Sequence, residues 1–197
     1  MKNALQPQAG FADPVDEAQL VFRQILDAMS HPGRIVTMAR PADLPPGLGR
    51  AATATALTLL DFETPVWLDP AAMPAAAHLR FHCNCPIVPA PEQAAFAFVA
   101  EPLALPPLDR FPLGSDAYPD RSTMLVIEVA QLDDEGPLRL TGPGIQHAAR
   151  LGIAGLPVDF WAARAALAPL FPRGLDLILT AGDRLAALPR TTLVSGG

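Results

Sequence analysis

Lysine is almost missing from this chain. Of its 14 cationic side chains only Lys2 is a lysine; the rest are arginines. Without a lysine in the body of the chain there is no amine to form a Schiff base with a carbonyl substrate or with pyridoxal phosphate. The lysine of a Walker A phosphate loop is missing too. Cysteine is also scarce. Cys83 and Cys85 stand one residue apart, too close to staple a fold, so no structural disulfide is expected. No apolar run approaches the roughly 20 residues that cross a bilayer. Residues 1–10 lack the apolar centre of a secretion signal. A cytoplasmic protein with no membrane contact is therefore expected. The net charge of −6 comes without a basic block, which argues against nucleic acid as a partner. Gly-x-Ser-x-Gly does not occur, so the nucleophile elbow of the α/β-hydrolases is excluded.

What the chain does have is apolar residues, half of its 197. That length suits one domain over residues 1–197, with residues 1–10 expected as a flexible tail. Its 23 prolines are more than twice the usual share of about 5%. They are densest from Pro102 to Pro119, where a long exposed loop is expected.

Asp13-Pro14 reads as an N-cap followed by proline in the first helical turn. Asp16 and Glu17 follow, then an apolar face of Val21, Phe22, Ile25, Leu26 and Met29, ended by Ser30-His31-Pro32-Gly33. Arg34–Met38 reads as a strand, Ala51–Leu60 as a helix and Val66–Leu68 as a short buried strand. Pro74–His82 reads as a turn or two of helix. Ala95–Val99, Met124–Val129 and Leu138–Thr141 read as strands, the second almost wholly apolar and so central. Pro157–Leu170 reads as a helix. Leu175–Thr180 and Leu185–Leu188 flank Ala-Gly-Asp, which is a hairpin signal. This alternation predicts an α/β sandwich around a mixed sheet with an antiparallel hairpin at one edge. Trp67, Leu125, Ile127, Leu177 and Leu179 are expected in its core.

Several groups of residues carry possible chemistry. Pro172-Arg173 and Pro189-Arg190 stand at the outer ends of the hairpin. Proline lowers the entropy of holding the next side chain in place. Guanidinium suits phosphate and carboxylate, but it is also enriched at subunit seams; both readings stand. Arg23 and Arg34 would join the pair if the four converge. Gly142-Pro143-Gly144-Ile145 follows a strand, and its glycines would admit a ligand or a second backbone. It is not a dinucleotide fingerprint, because His147 stands where the third glycine belongs. His147 or His31 is the candidate acid–base of a free-standing enzyme. His78, His82, Cys83 and Cys85 are four possible zinc ligands within eight positions. Cys-x-Cys is tighter than the usual zinc knuckle, and no second ligand cluster accompanies it.

A set of islands in order along residues 11–192 carries a resemblance. They are Phe11-Ala-Asp-Pro with Gln19, Phe22-Arg23, Ala28-Met29 and Pro32-Gly33-Arg34; Leu59-Leu60-Asp61 with Thr64-Pro65-Val66-Trp67-Leu68; Leu79-Arg80-Phe81-His82; and Thr141-Gly142-Pro143-Gly144-Ile145. Phe171-Pro172-Arg173-Gly174 with Asp176-Leu177-Ile178-Leu179, and Leu188-Pro189-Arg190-Thr191-Thr192, complete the set. Together they resemble the PhnH family of the bacterial carbon–phosphorus lyase system. One departure is Cys83, where the family more usually has threonine.

The resemblance implies a three-layer α/β/α sandwich like the large domain of pyridoxal-phosphate transferases, without that or any other cofactor. It implies a homodimer that also assembles with PhnG, PhnI and PhnJ. The complex would use phosphonates, first displacing adenine from ATP to give ribose 1-phosphonate 5-triphosphate, with catalysis assigned to PhnI and PhnJ. Arg173, Arg190, Gly142, Gly144 and Arg34 are then candidate anion-binding or interface residues, with no catalytic or metal-binding residue of the chain's own.

Overall fold

In a computed structural model, which describes residues 10–196, α1 spans Pro14–Ser30. Asp13 caps it, its side chain accepting from the amides of Val15 and Asp16 at 3.2 Å. The short strand β1 (Ile35–Thr37) follows. Next come α2 (Arg50–Leu59), β2 (Val66–Leu68) and α3 (Ala76–Cys83). The chain continues through β3 (Phe96–Val99), β4 (Met124–Glu128), β5 (Gln131–Thr141) and β6 (Ala149–Ala154). It ends with α4 (Phe160–Ala166), β7 (Asp176–Ala181), β8 (Arg184–Leu188) and β9 (Leu193–Ser195). Lys2 and the first nine residues of the tail expected over 1–10 lie outside the described residues. Gly10 is buried, and its carbonyl accepts from Ala42 N at 2.8 Å.

The fold is mixed α/β. Six strands form one sheet in the order β1-β8-β7-β4-β3-β2. β2, β3, β4 and β7 are mutually parallel, whereas β8 runs antiparallel between β7 and β1. β4 is interior, as its apolar run predicts. The β7–β8 hairpin forms with Gly182 at φ +62° in its two-residue turn, where glycine bears the positive φ that other residues resist. The hairpin is not the sheet's edge, because β1 adds outside it.

Alternation along the strands divides the core in two. Val66, Leu68, Phe98, Val126, Ile178, Leu185 and Ala187 face α1, α2 and α3. Trp67, Ala97, Val99, Leu125, Ile127, Leu177, Leu179, Ala186 and Leu188 face the other way. All five side chains expected in the core are buried, Leu125, Ile127, Leu177 and Leu179 completely. That second face is covered by Leu132, Leu138 and Leu140 of β5, Leu151 of β6 and Phe160 of α4. β5 pairs with β6 and β9 in a separate three-stranded sheet. One outer layer is therefore helical, and the other is a small sheet with one short helix.

Pro102–Pro119 is the long, mostly exposed connection expected, gathered into 3₁₀ turns at Pro102–Ala104, Leu108–Arg110 and Pro119–Arg121, and two other expectations change. Leu108 and Phe111 are buried there, and Phe111 meets the Trp67 ring edge-on at 5.7 Å. On α1 the buried face is Val21, Ile25 and Ala28, while Phe22 and Leu26 stay 45% and 50% exposed, in line with Val15. The helix expected over Pro157–Leu170 is only α4, broken before a 3₁₀ turn at Ala168–Leu170 by Pro169.

Both edges of the six-stranded sheet are occupied. At β1 the Gln24 side chain donates to Thr37 O at 2.8 Å and accepts from Ala39 N at 3.1 Å. At β2 the segment Pro86–Val88 takes up both backbone groups on the outer edge of Val66, through Val66 N to Pro86 O and Val88 N to Val66 O.

Candidate functional site

Arginine gathers where β7 begins and β8 ends, at the amino ends of the parallel strands. Arg190, just beyond β8, is the best-bonded side chain there. Its Nε donates to Asp176 Oδ1 at 3.2 Å, and Nη2 donates to Asp176 Oδ2 and Ser122 Oγ, both at 2.5 Å. Its Nη1 donates to Pro119 O at 2.8 Å and to Pro172 O at 3.2 Å. A guanidinium carries five N–H donors, so all are engaged within the chain. The Arg190–Asp176 pair is largely buried, with side chains 14% and 18% exposed.

Arg173 behaves differently. It is 41% exposed, and its Nε lies 3.3 Å from Oδ1 of Asp116, itself 82% exposed. Beside it stands Arg164, which the sequence reading did not single out. It projects from α4, its Nη1 donating to Thr192 O and its Nη2 to Pro189 O, both at 2.8 Å. Burial pushes the Arg164 pKa down. Its run, Trp-Ala-Ala-Arg-Ala-Ala, reads as the exposed face of an alanine helix. The one available signal was the smallness of its neighbours, which lets α4 press close to the β8–β9 link. Arg164, Arg173, Arg190 and Thr192, with Trp161 and Phe171, border a cavity of about 90 Å³.

Gly142 and Gly144 lie nearby and admit backbone. A Cβ on Gly142 (φ +135°) would come 2.8 Å from Thr191 O, and one on Gly144 (φ +82°) 2.4 Å from Ser30 O. Arg34 is held away by α1, with its Nη1 at 2.9 and 3.0 Å from the two carboxylate oxygens of Asp27. Gly142 and Arg190 thus meet the same link between β8 and β9, while Gly144 and Arg34 belong to the exit of α1.

The histidines form no relay. His31 Nδ1 is 3.0 Å from Asp27 Oδ1 and 3.2 Å from Ser30 Oγ. A catalytic relay needs serine and carboxylate on opposite ring nitrogens. Here both meet one nitrogen, and Ser30 Oγ donates to Leu26 O at 2.8 Å. His147 is exposed in the loop between β5 and β6. The four expected zinc ligands do not assemble either. His78 and His82 meet on α3 with ring centroids 4.3 Å apart and the rings tilted by 51°. Cys83 turns into the core, its Sγ donating to Ala56 O at 3.6 Å. Burial, with Cys85 beside it, pushes the Cys83 thiol up to about 12. Among the described residues no group of three or more His, Cys, Asp and Glu could hold a metal ion.

The opposite, carboxyl ends of the parallel strands are where open α/β sheets usually bind ligands. Here they are filled by the chain's own carboxylates. Asp69, just past β2 and 1% exposed, accepts from the amides of Ala72, Ala100 and Glu101 at 2.7, 3.0 and 2.8 Å. Glu128 ends β4 and accepts from Gly49 N at 3.0 Å, the N-cap of α2 and the place where a helix offers amides to a phosphate. Burial raises the Glu128 pKa, against the Gly49 hydrogen bond that lowers it.

Comparison with known proteins gives a concordant answer. Residues 9–195 match the family described as bacterial phosphonate metabolism protein (PhnH). The chain is 45% identical over 187 residues, 92% of each chain, to the alpha-D-ribose 1-methylphosphonate 5-triphosphate synthase subunit PhnH of Rhizobium meliloti (strain 1021). It is 34% identical over 178 residues to the "Putative C-P lyase subunit protein HtxG" of Stutzerimonas stutzeri, covering 90% of this chain and 85% of that one.

Proposed function

This chain belongs to the PhnH family of bacterial phosphonate metabolism proteins, and from that premise we propose that it is an accessory, non-catalytic subunit of a carbon–phosphorus lyase assembly. In that role it supports displacement of adenine from ATP by a phosphonate, giving ribose 1-phosphonate 5-triphosphate. The names of its relatives, a synthase subunit and a C-P lyase subunit, support the pathway. The observation that carries the accessory role is the filled carboxyl edge. Glu128 holds the α2 amide that a triphosphate would seek, and three backbone amides engage Asp69.

The partners in this reading are a second copy of the chain and the PhnG, PhnI and PhnJ subunits, in the cytoplasm and without nucleic acid. The surface offered to them is the outer stripe of α1, where Val15, Phe22 and Leu26 remain exposed and an apolar helix face lacks cover. A likeness to the large domain of pyridoxal-phosphate transferases belongs to the same reading. The parallel set β2-β3-β4-β7 under α1–α3 would be its counterpart, with no lysine in the body of the chain to hold the cofactor.

The test is adenine release from ATP and methylphosphonate by the partner subunits, with and without this chain. Release that needs the chain, while the chain alone is silent, is the expected result. Nucleosidase turnover by the purified chain would overturn the accessory role. Release that proceeds equally without it would remove the chain from this step.

A further inference from the structure

Among the described residues, six buried side-chain nitrogen and oxygen atoms have no hydrogen-bond partner: Thr53 Oγ1, Thr58 Oγ1, His78 Nε2, Arg164 Nε, Arg173 Nε and Thr192 Oγ1. The last three belong to residues around one cavity, of about 90 Å³, between α4, the start of β7 and the β8–β9 link. Buried polar atoms are normally paired; Arg173 Nε has the Asp116 carboxylate at 3.3 Å without hydrogen-bond geometry, and Arg164 Nε and Thr192 Oγ1 at the same cavity mark a place where partners are missing.

Charge gives the same result. Arg190 is neutralised by Asp176 and has no donor left. Arg164 donates only to two carbonyl oxygens and has no carboxylate in ion-pair contact among the described residues. Its charge is largely buried and shares with Arg190 the field of a single carboxylate, Asp176, a costly arrangement that a further anion would relieve. Arg173 adds a second positive charge, tied only to an exposed carboxylate. Two of the five donors of Arg164 are spent, which leaves N–H groups on both guanidinium ions.

From this cavity we infer a binding site for one small tetrahedral oxyanion of the phosphate or phosphonate class, held by Arg164 and Arg173 beside Thr192. Two guanidinium forks suit the several acceptors of such a group. A cavity of about 90 Å³ has room for one such head with a small substituent. The walls beside the arginines are apolar, from Trp161, Leu167, Phe171 and Leu175, which suits an alkyl group on phosphorus. The site does not depend on the assembly role proposed above, and it is read on the purified chain alone.

Titration calorimetry of the purified chain with inorganic phosphate, and separately with methylphosphonate, tests the inference. One saturable site per chain with Kd below about 1 mM is expected for at least one probe. Tighter binding of methylphosphonate would assign the apolar wall to the alkyl group; equal or tighter phosphate binding would assign the site to the head group alone. Arg173→Met, at a half-exposed position, should keep the fold and weaken binding about tenfold or more. Ala168→Leu, which fills the cavity and leaves every arginine in place, should do the same, so the decision does not hang on whether Arg164→Met folds. Failure of both probes to saturate would overturn the inference. So would binding unchanged in both Arg173→Met and Ala168→Leu.

Discussion

The parallel strands β2, β3, β4 and β7 have two ends, and the chain treats them in opposite ways. At the carboxyl ends stand carboxylates, Asp69 and Glu128, each bonded to backbone amides. At the amino ends stand Arg164, Arg173 and Arg190 around a cavity, with Asp176 in the hands of Arg190. Open α/β sheets ordinarily leave the carboxyl ends free for ligands, with helix N-termini aimed at them. Here that end is closed by negative charge and the unsatisfied positive charge is at the other. The difference separates scaffold from function: parallel strands carry no ligand site at their carboxyl ends when the amides there are already spent.

Within the amino end, Arg190 and Arg173 should part most sharply. Arg190→Ala removes five donors and leaves Asp176 buried without its partner, so a loss of roughly 3–5 kcal/mol is expected, read by urea denaturation. A loss under about 1 kcal/mol would mean that water replaces the guanidinium and that this end is not locked. At the carboxyl end, Asp69→Asn keeps the shape but turns an acceptor into a donor against amides that also donate. It should cost about 2–3 kcal/mol, and a neutral result would break the symmetry between the two ends.

Glu128 gives a smaller effect with a definite sign. Burial places its folded pKa above the unfolded value, so the folded state holds the proton more tightly. Its contribution is complete below the unfolded pKa and is lost as pH rises through the folded one. Glu128→Gln keeps an acceptor for Gly49 N and abolishes the titration. Relative to that variant the parent should therefore lose stability as pH rises from about 4 to 7; thermal midpoints that run parallel across this range would refute the shift. The smallest effect belongs to Arg173→Ala. Its one ion pair is exposed, and such pairs contribute about 0–1 kcal/mol, so the thermal midpoint should scarcely move while anion binding falls.

The sequence made one end of this comparison partly visible and the other not at all. Proline beside arginine marked Arg173 and Arg190, yet local sequence does not tell a saturated guanidinium from an open one. That depends on Pro119 and Ser122, about 70 positions away in the chain. Arg164 was hidden by its alanines. Asp69 and Glu128 were hidden because each simply ends an apolar strand. The strands with clean alternation or dense apolar runs, β2, β3, β4, β7 and β8, were legible. β6, β9 and the first half of β5 were not. Asp133-Asp134-Glu135-Gly136-Pro137 reads as a turn, and the pairing there shifts register between Asp133 and Leu138. Gly136 passes so close to Gly152 that a Cβ on it would lie 1.9 Å from the Gly152 Cα, which explains the two glycines in strands that otherwise disfavour them.

The side-chain amide of Gln24 on β1 and the strap Pro86–Val88 on β2 have a consequence for assembly. An open strand edge invites another chain to add to it, and such growth has no natural stop. With both edges of the large sheet taken, copies of this protein cannot join it into a continuous intermolecular sheet or stack it toward fibrils. A complex built on the large sheet must be made through side chains, of a size that their shapes define and therefore limit.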